Sequence, residues 1–132
     1  MDEILEFIKM CGAYFLATCD GDQPHVRPFA TIEIYKNKIY LQTGKQKNVS
    51  KQIQKNGKVE LCALDRTGAR WIRIEGTLVN DDDVAAKHFM LEQYPALQSM
   101  YSETDSNMQV CYFKDATATF YSFTETPRVV KF

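Results

Sequence analysis

An antiparallel β-barrel carrying a few short helices is the architecture this sequence predicts, and three observations lead to it. About seven segments of strand length are either wholly apolar or alternate between apolar and polar residues. Short turns rich in Gly, Asn and Asp separate most of them, which favours antiparallel neighbours over parallel crossovers. No internal repeat, low-complexity tract or linker interrupts the series, so one domain over residues 1–132 is expected.

Asp2–Cys11 places Ile4, Leu5 and Ile8 on one helical face, with acids in the first turn and Lys9 near the end, as the helix dipole favours. Gly12 stops it. Ala13–Cys19 is an apolar strand, and Asp20-Gly21 signals a hairpin. His25–Tyr35 then reads as one alternating strand, with Val26, Pro28, Ala30, Ile32 and Ile34 on its apolar face. Pro28 has no N–H for a ladder, so it marks an edge, a bulge or an interruption. Lys36-Asn37 turns the chain into Lys38–Thr43. A loop, Thr43-Gly44-Lys45-Gln46-Lys47-Asn48, leads into a helix over Val49–Lys55 with Asn48 as its N-cap. Val59–Asp65 and Arg70–Asn80 form the next hairpin, and Gly76 implies a bend or a close backbone approach. Three aspartates open a helix that Pro95 interrupts. Gln109–Lys114 and Thr117–Phe123 read as two further strands about Asp115, and the tail to Phe132 is expected to dock.

The formal net charge of −1 excludes a nucleic-acid partner held by bulk attraction. Charge is nonetheless uneven. Seven lysines fall between Lys36 and Lys58, with Glu33 and Glu60 the nearby acids. Such a patch is either a solvated edge or a seat for a small anion. The cysteines Cys11, Cys19, Cys62 and Cys111 are dispersed, and neither His25 nor His88 stands at metal-ligand spacing from them, so no metal site is expected. Met1 leads directly into an acidic amphipathic segment without a basic leader, and no apolar run is long enough to span a bilayer; a cytoplasmic protein is expected.

The Thr43–Asn48 loop offers a helix N-terminus, two lysines and a hydroxyl, which suits a phosphate, or else is a plain capped helix with exposed cations. It lacks the Walker A spacing. Arg27 either pairs with a carboxylate such as Glu33 or Glu75 or reaches a ligand. Trp71 is either a core residue or, since it lies on the polar face of its strand, stacks on a ring or joins an interface. His25 is read as a surface residue and His88 as structural. No nucleophile–base pair or paired-carboxylate motif is present, so any reaction would draw on a cofactor.

The N-terminal helix, the strand pair around PHVRPF, the strand and helix KIYLQTGKQKNVSKQI, the segments KVELCAL and WIRIEGTLV, and the ending ATFYSFTETPRVVKF together resemble the pyridoxamine 5′-phosphate oxidase-like family, in particular its small nitroimidazole-resistance and general-stress-protein-like members. The resemblance implies a mainly β fold, a split β-barrel of about six to seven mostly antiparallel strands with a few short α-helices. It also implies a homodimer with FMN between the subunits and oxidoreductase or reductase activity on a small molecule. Carried over by position, Arg27, Pro28 and Phe29 lie along the flavin ring. Gln42 and Thr43 meet the ring and ribityl chain, and Lys45, Lys47 and Asn48 bind the phosphate, with Lys51 an alternative. Trp71 lines the cleft, facing the partner's flavin. Apart from the resemblance, Trp71, Phe120 and Tyr121 are aromatics suited to an interface. Longer pyridoxamine phosphate oxidases carry a basic C-terminal stretch, whereas only Arg128 and Lys131 stand near Phe132, so a different substrate is expected. A flavin- or haem-binding sensor or storage module and a deazaflavin protein are the alternatives on the same barrel.

Overall fold

The structure is a computed structural model that describes residues 1–132. It consists of α1 (Asp2–Cys11), β1 (Tyr14–Asp20), β2 (Gln23–Phe29), β3 (Glu33–Tyr35), β4 (Lys38–Gly44), α2 (Asn48–Lys55), β5 (Lys58–Leu64), β6 (Arg70–Asp81), α3 (Val84–Gln93), a 3-10 turn over Pro95–Ser99, β7 (Met108–Ser122) and β8 (Arg128–Lys131). Eight antiparallel strands, one more than the highest count expected, form a single sheet in the order β2-β1-β5-β6-β7-β4-β3, with β8 added along β7. The sheet does not close. Its two edge strands, β2 and β3, are consecutive in the chain, so the Ala30–Ile32 linker bridges the split between the sheet's ends.

Hydrogen bonds from both sides pin that linker. Tyr14 Oη, on β1, donates to the Thr31 carbonyl at 2.7 Å. Thr31 Oγ1 donates to the Gln42 carbonyl and accepts from the Gln42 N–H, each at 3.2 Å, imitating one rung of the ladder that β3 has not yet begun. Tyr94 Oη engages both the N–H and the carbonyl of Ile32. The stretch expected as one strand is therefore two. Alternation also fails in its first half: Val26, Pro28 and Ala30 are exposed, while Arg27 and Phe29 turn partly inward. Pro28 sits on an edge strand in unbroken register, opposite Phe15, and no bulge is present.

The barrel interior is filled by Ile4 and Ile8 of α1, Leu16, Leu61, Ile72, Ile74 and Phe113, with Val49 and Ile53 of α2 closing it from one end. A second, smaller core lies on the opposite face of β4 and β7, where Tyr40, Met108 and Val110 meet Ala86 and Met90 of α3. With a core on each face, β4 is buried without alternation from Ile39 to Gly44, Gln42 and Thr43 included. Asp83 caps α3 through the Ala85 N–H.

Gly76 is the anticipated bend. The β6–β7 register shifts between Glu75 and Thr77, and a Cβ at Gly76 would stand 3.0 Å from that of Ala116. The two strands expected around Asp115 are one 15-residue strand, because Asp115 adopts a left-handed φ of 52° opposite that shift and pairing resumes. The tail docks as β8, and Phe132 exchanges two backbone hydrogen bonds with Ala116. No helix is long and apolar enough to cross a membrane.

Candidate functional site

Arg27 is the centre of the site. It points from edge strand β2 toward α2, half-buried, and its guanidinium donates to Thr18 Oγ1 at 2.7 Å, to Gln52 Oε1 at 2.8 Å and to the Leu16 carbonyl at 3.2 Å. Thr18 Oγ1 in turn donates to Gln52 Oε1, which fixes the acceptor. Gln52 reaches Arg27 because residues 49, 52 and 53 share the inward face of α2. Neither carboxylate considered for Arg27 binds it. Glu33 pairs with Lys9, Glu75 is in no ion pair, and no acid lies within salt-bridge distance of Arg27. Burial alone lowers its pKa from the usual value. A partly desolvated cation with neutral partners only is an anion site in waiting.

Two grooves meet at this guanidinium. The first, ≈ 200 Å³, runs between the β2 edge and β4: Arg27, Pro28, Phe29 and Ala30 form one wall, and Gln42, Thr43, Lys47 and Val49 the other, with Thr31 between them. The second, ≈ 450 Å³, is entirely polar. Asp20, His25 and Arg27 face Asn48, Lys51, Gln52 and Lys55 across it. None of Lys47, Lys51, Lys55 or His25 is in an ion pair, although the chain forms ion pairs elsewhere. Between the grooves lies the start of α2. Asn48 is not its N-cap but its first residue; Lys47 occupies the cap position in extended conformation, and no side chain caps the first-turn N–H groups.

Of the residues singled out in the sequence, Arg27, Pro28, Phe29, Gln42, Thr43 and Lys47 come together in the first groove and Asn48 and Lys51 in the second. Lys45 does not. Its ammonium binds Asp82 at 3.1 Å and holds that carboxyl below the usual carboxylate range. Trp71 is also apart: it lies on the outer face of β6, stacked on Tyr121 with centroids 5.4 Å apart and planes 10° from parallel, and beside Phe123. Phe120, expected at an interface, is instead in the barrel core, edge-on to Phe7. His88 is on the exposed face of α3, where it pairs with Glu92 and ties Glu103 to the helix. Thr18, Thr31 and Gln52 escaped the sequence reading; the spacing of Val49, Gln52 and Ile53 was the one signal that could have found Gln52.

The remaining reactive groups are quiet. Burial pushes the Cys111 thiol up to about 12 and raises Cys11 and Cys62, so none of these three is activated as a nucleophile. No group of three His, Cys, Asp or Glu side chains is placed to hold a metal ion.

The family model described as pyridoxamine 5′-phosphate oxidase matches residues 1–121. The chain belongs to the pyridoxamine 5′-phosphate oxidase-like family. Within that family, it is 39% identical to a NimC/NimA family protein from Clostridium acetobutylicum, over 100% of this chain and 92% of that one, with a TM-score of 0.95. General stress protein 26 from Bacillus anthracis str. Sterne shares the fold at 18% identity, with 99% and 97% of the two chains covered and a TM-score of 0.74. A heme-binding protein from Mycobacterium smegmatis shares it at 9% identity, over 93% of this chain and 54% of that one, also with a TM-score of 0.74. No curated protein matches the sequence.

Proposed function

We propose that this member of the pyridoxamine 5′-phosphate oxidase-like family binds FMN as a homodimer and acts as a flavin-dependent oxidoreductase on a small molecule. The observation that carries the reading is the half-buried Arg27 guanidinium, which has neutral partners only and stands where an apolar-edged groove meets a polar cationic one. Such a pairing suits a ligand with a ring at one end and a phosphate at the other. Pro28, Phe29 and Val49 would flank the ring, and Gln42 and Thr43 would meet the ring edge and ribityl chain. Arg27, Lys47 and the uncapped N–H groups of α2 would hold the phosphate. FMN, when bound, supplies hydride or electron exchange at its N5. The protein's part is to anchor the phosphate, orient the ring and limit water.

A groove of ≈ 200 Å³ open on one side covers a flavin incompletely. A second copy would supply the missing wall, through the outer sheet face where Trp71, Tyr121 and the 78% exposed Phe123 form an aromatic strip. The four free cysteines suit a reducing, cytoplasmic compartment.

The protein as purified is expected to be yellow, with flavin absorbance that is released on heating. Refolding with stoichiometric FMN that leaves no flavin bound would overturn the reading. Lys47→Ala is expected to weaken FMN by about tenfold, as loss of one charged phosphate partner does. Lys36→Ala, whose lysine sits on the β3–β4 turn 3.9 Å from Asp83, should leave the dissociation constant unchanged. Equal effects in a fluorescence titration would move the phosphate elsewhere.

A haem-binding module is the second reading, favoured by the shared fold of the mycobacterial heme-binding protein and by His25 in the polar groove. A Soret band in the same spectrum would select it.

A further inference from the structure

The loop that would receive the phosphate is shaped from outside the strands that carry it. Two consecutive N–H groups of the loop end on one residue: Lys45 N–H donates to the Asn107 carbonyl at 2.6 Å, and Gln46 N–H to Asn107 Oδ1 at 3.1 Å. Lys47 N–H then closes the turn on the Gly44 carbonyl at 3.0 Å. Asn107 is itself held. The Asp105 carboxylate accepts from the N–H groups of Ser102, Asn107 and Met108 at 2.7, 2.9 and 2.6 Å, and Glu103 ties the same segment to His88 of α3.

Gly44 shows how tightly the two segments meet. A Cβ there would lie 2.8 Å from Tyr101 Oη and 3.4 Å from Asn107 Nδ2, so any larger residue would have to displace the Tyr101 side chain from this brace. The φ of Gly44 is not in the left-handed region, so close approach, not turn geometry, is what requires the glycine.

We propose that Asn107, with Tyr101 packed at Gly44, is a positioning residue that gives the chain its preference for a phosphorylated flavin over an unphosphorylated one. The inference rests on the FMN reading above and deepens it. Asn107 does not touch the groove. It fixes the turn that ends at Lys47, and thereby the separation between Lys47, the α2 N–H groups and Arg27. Charge-assisted hydrogen bonds are sensitive to that separation, whereas contacts to a flavin ring along Pro28 and Phe29 are not.

The test measures dissociation constants of FMN and riboflavin for the apoprotein by flavin fluorescence, alongside the thermal midpoint without ligand. Wild type is expected to prefer FMN. Asn107→Ala and Gly44→Ala should each weaken FMN by about tenfold, the size of one lost charged contact, and leave riboflavin unchanged. Adding Tyr101→Phe to Gly44→Ala should recover part of the loss, because the nearest obstruction is the hydroxyl. Parallel weakening of both flavins would make the role merely structural and overturn the inference, as would unchanged FMN affinity in folded variants. Wild type with no preference for FMN over riboflavin would instead remove the phosphate site on which the inference rests.

Discussion

Arg27→Met is expected to weaken FMN on the order of a hundredfold, the consequence of losing two charge-assisted hydrogen bonds from a partly desolvated cation. The guanidinium has five N–H donors. Thr18, Leu16 and Gln52 engage its Nη1 and one Nη2 hydrogen, which leaves Nε–H and the other Nη2 hydrogen for a ligand. Arg27→Lys should restore only part of the affinity, since an ammonium keeps the charge and loses the fork. Riboflavin, which lacks the phosphate, should bind the Met variant nearly as well as wild type. Equal loss for FMN and riboflavin would place Arg27 against the ring rather than the phosphate. The stability cost should be small, about 1 kcal/mol, because buried Thr18 and half-buried Gln52 keep their hydrogen bond to each other.

Thr31→Val is expected to destabilise the fold by about 2–6 kcal/mol, read as a shift of the urea midpoint at constant slope. Valine has the same shape, but it leaves both the N–H and the carbonyl of Gln42 unpartnered at a buried position. Each such orphan costs about 1–3 kcal/mol. Tyr14→Phe removes a single hydrogen bond to the Thr31 carbonyl on the other side of the linker and should cost about 1–2 kcal/mol. A Thr31→Val effect smaller than that of Tyr14→Phe would mean that the linker is held from β1 alone. Thr31 also lies in the first groove, so the same variant should loosen ligand binding in proportion to the mobility it gives the linker.

Much of this architecture was legible in the sequence because it rests on local rules. Lys36-Asn37 does form a tight turn with both residues at positive φ, Gly76 does mark a close backbone approach, and Ile72, Ile74 and Leu78 do share the buried face of β6. Position in the sheet was less legible. Alternation placed Val26 inside, yet at 67% exposure it is among the most open apolar side chains. At Arg27 the inward face of β2 looks onto Thr18 and Gln52, and only at Phe29 does it reach the apolar core, which tertiary structure alone shows. At the site, family resemblance pointed to a stretch of lysines but not to their partners. Lys45 and Lys47 look equivalent in sequence, and Asp82, far along the chain, separates them by binding one. Asn107 was invisible for the same reason. Its hydrogen bonds span a separation of sixty-one residues to Gln46.

The sheet order also governs how the molecule is made. β7 is the one strand that joins β6 to β4, so a growing chain that has not yet delivered Met108–Ser122 holds two ladders, β2-β1-β5-β6 and β3-β4, joined by the Ala30–Ile32 bridge and by α2 between β4 and β5 but by no strand pairing. Each ladder then presents an open edge, at β6 and at β4, which is where a nascent chain is vulnerable to wrong pairing. Arg27 belongs to the first ladder and Gln42 and Thr43 to the second. Capture of a flavin during synthesis would thus report that the ribosome has released β7, and a chain stalled before it should bind none.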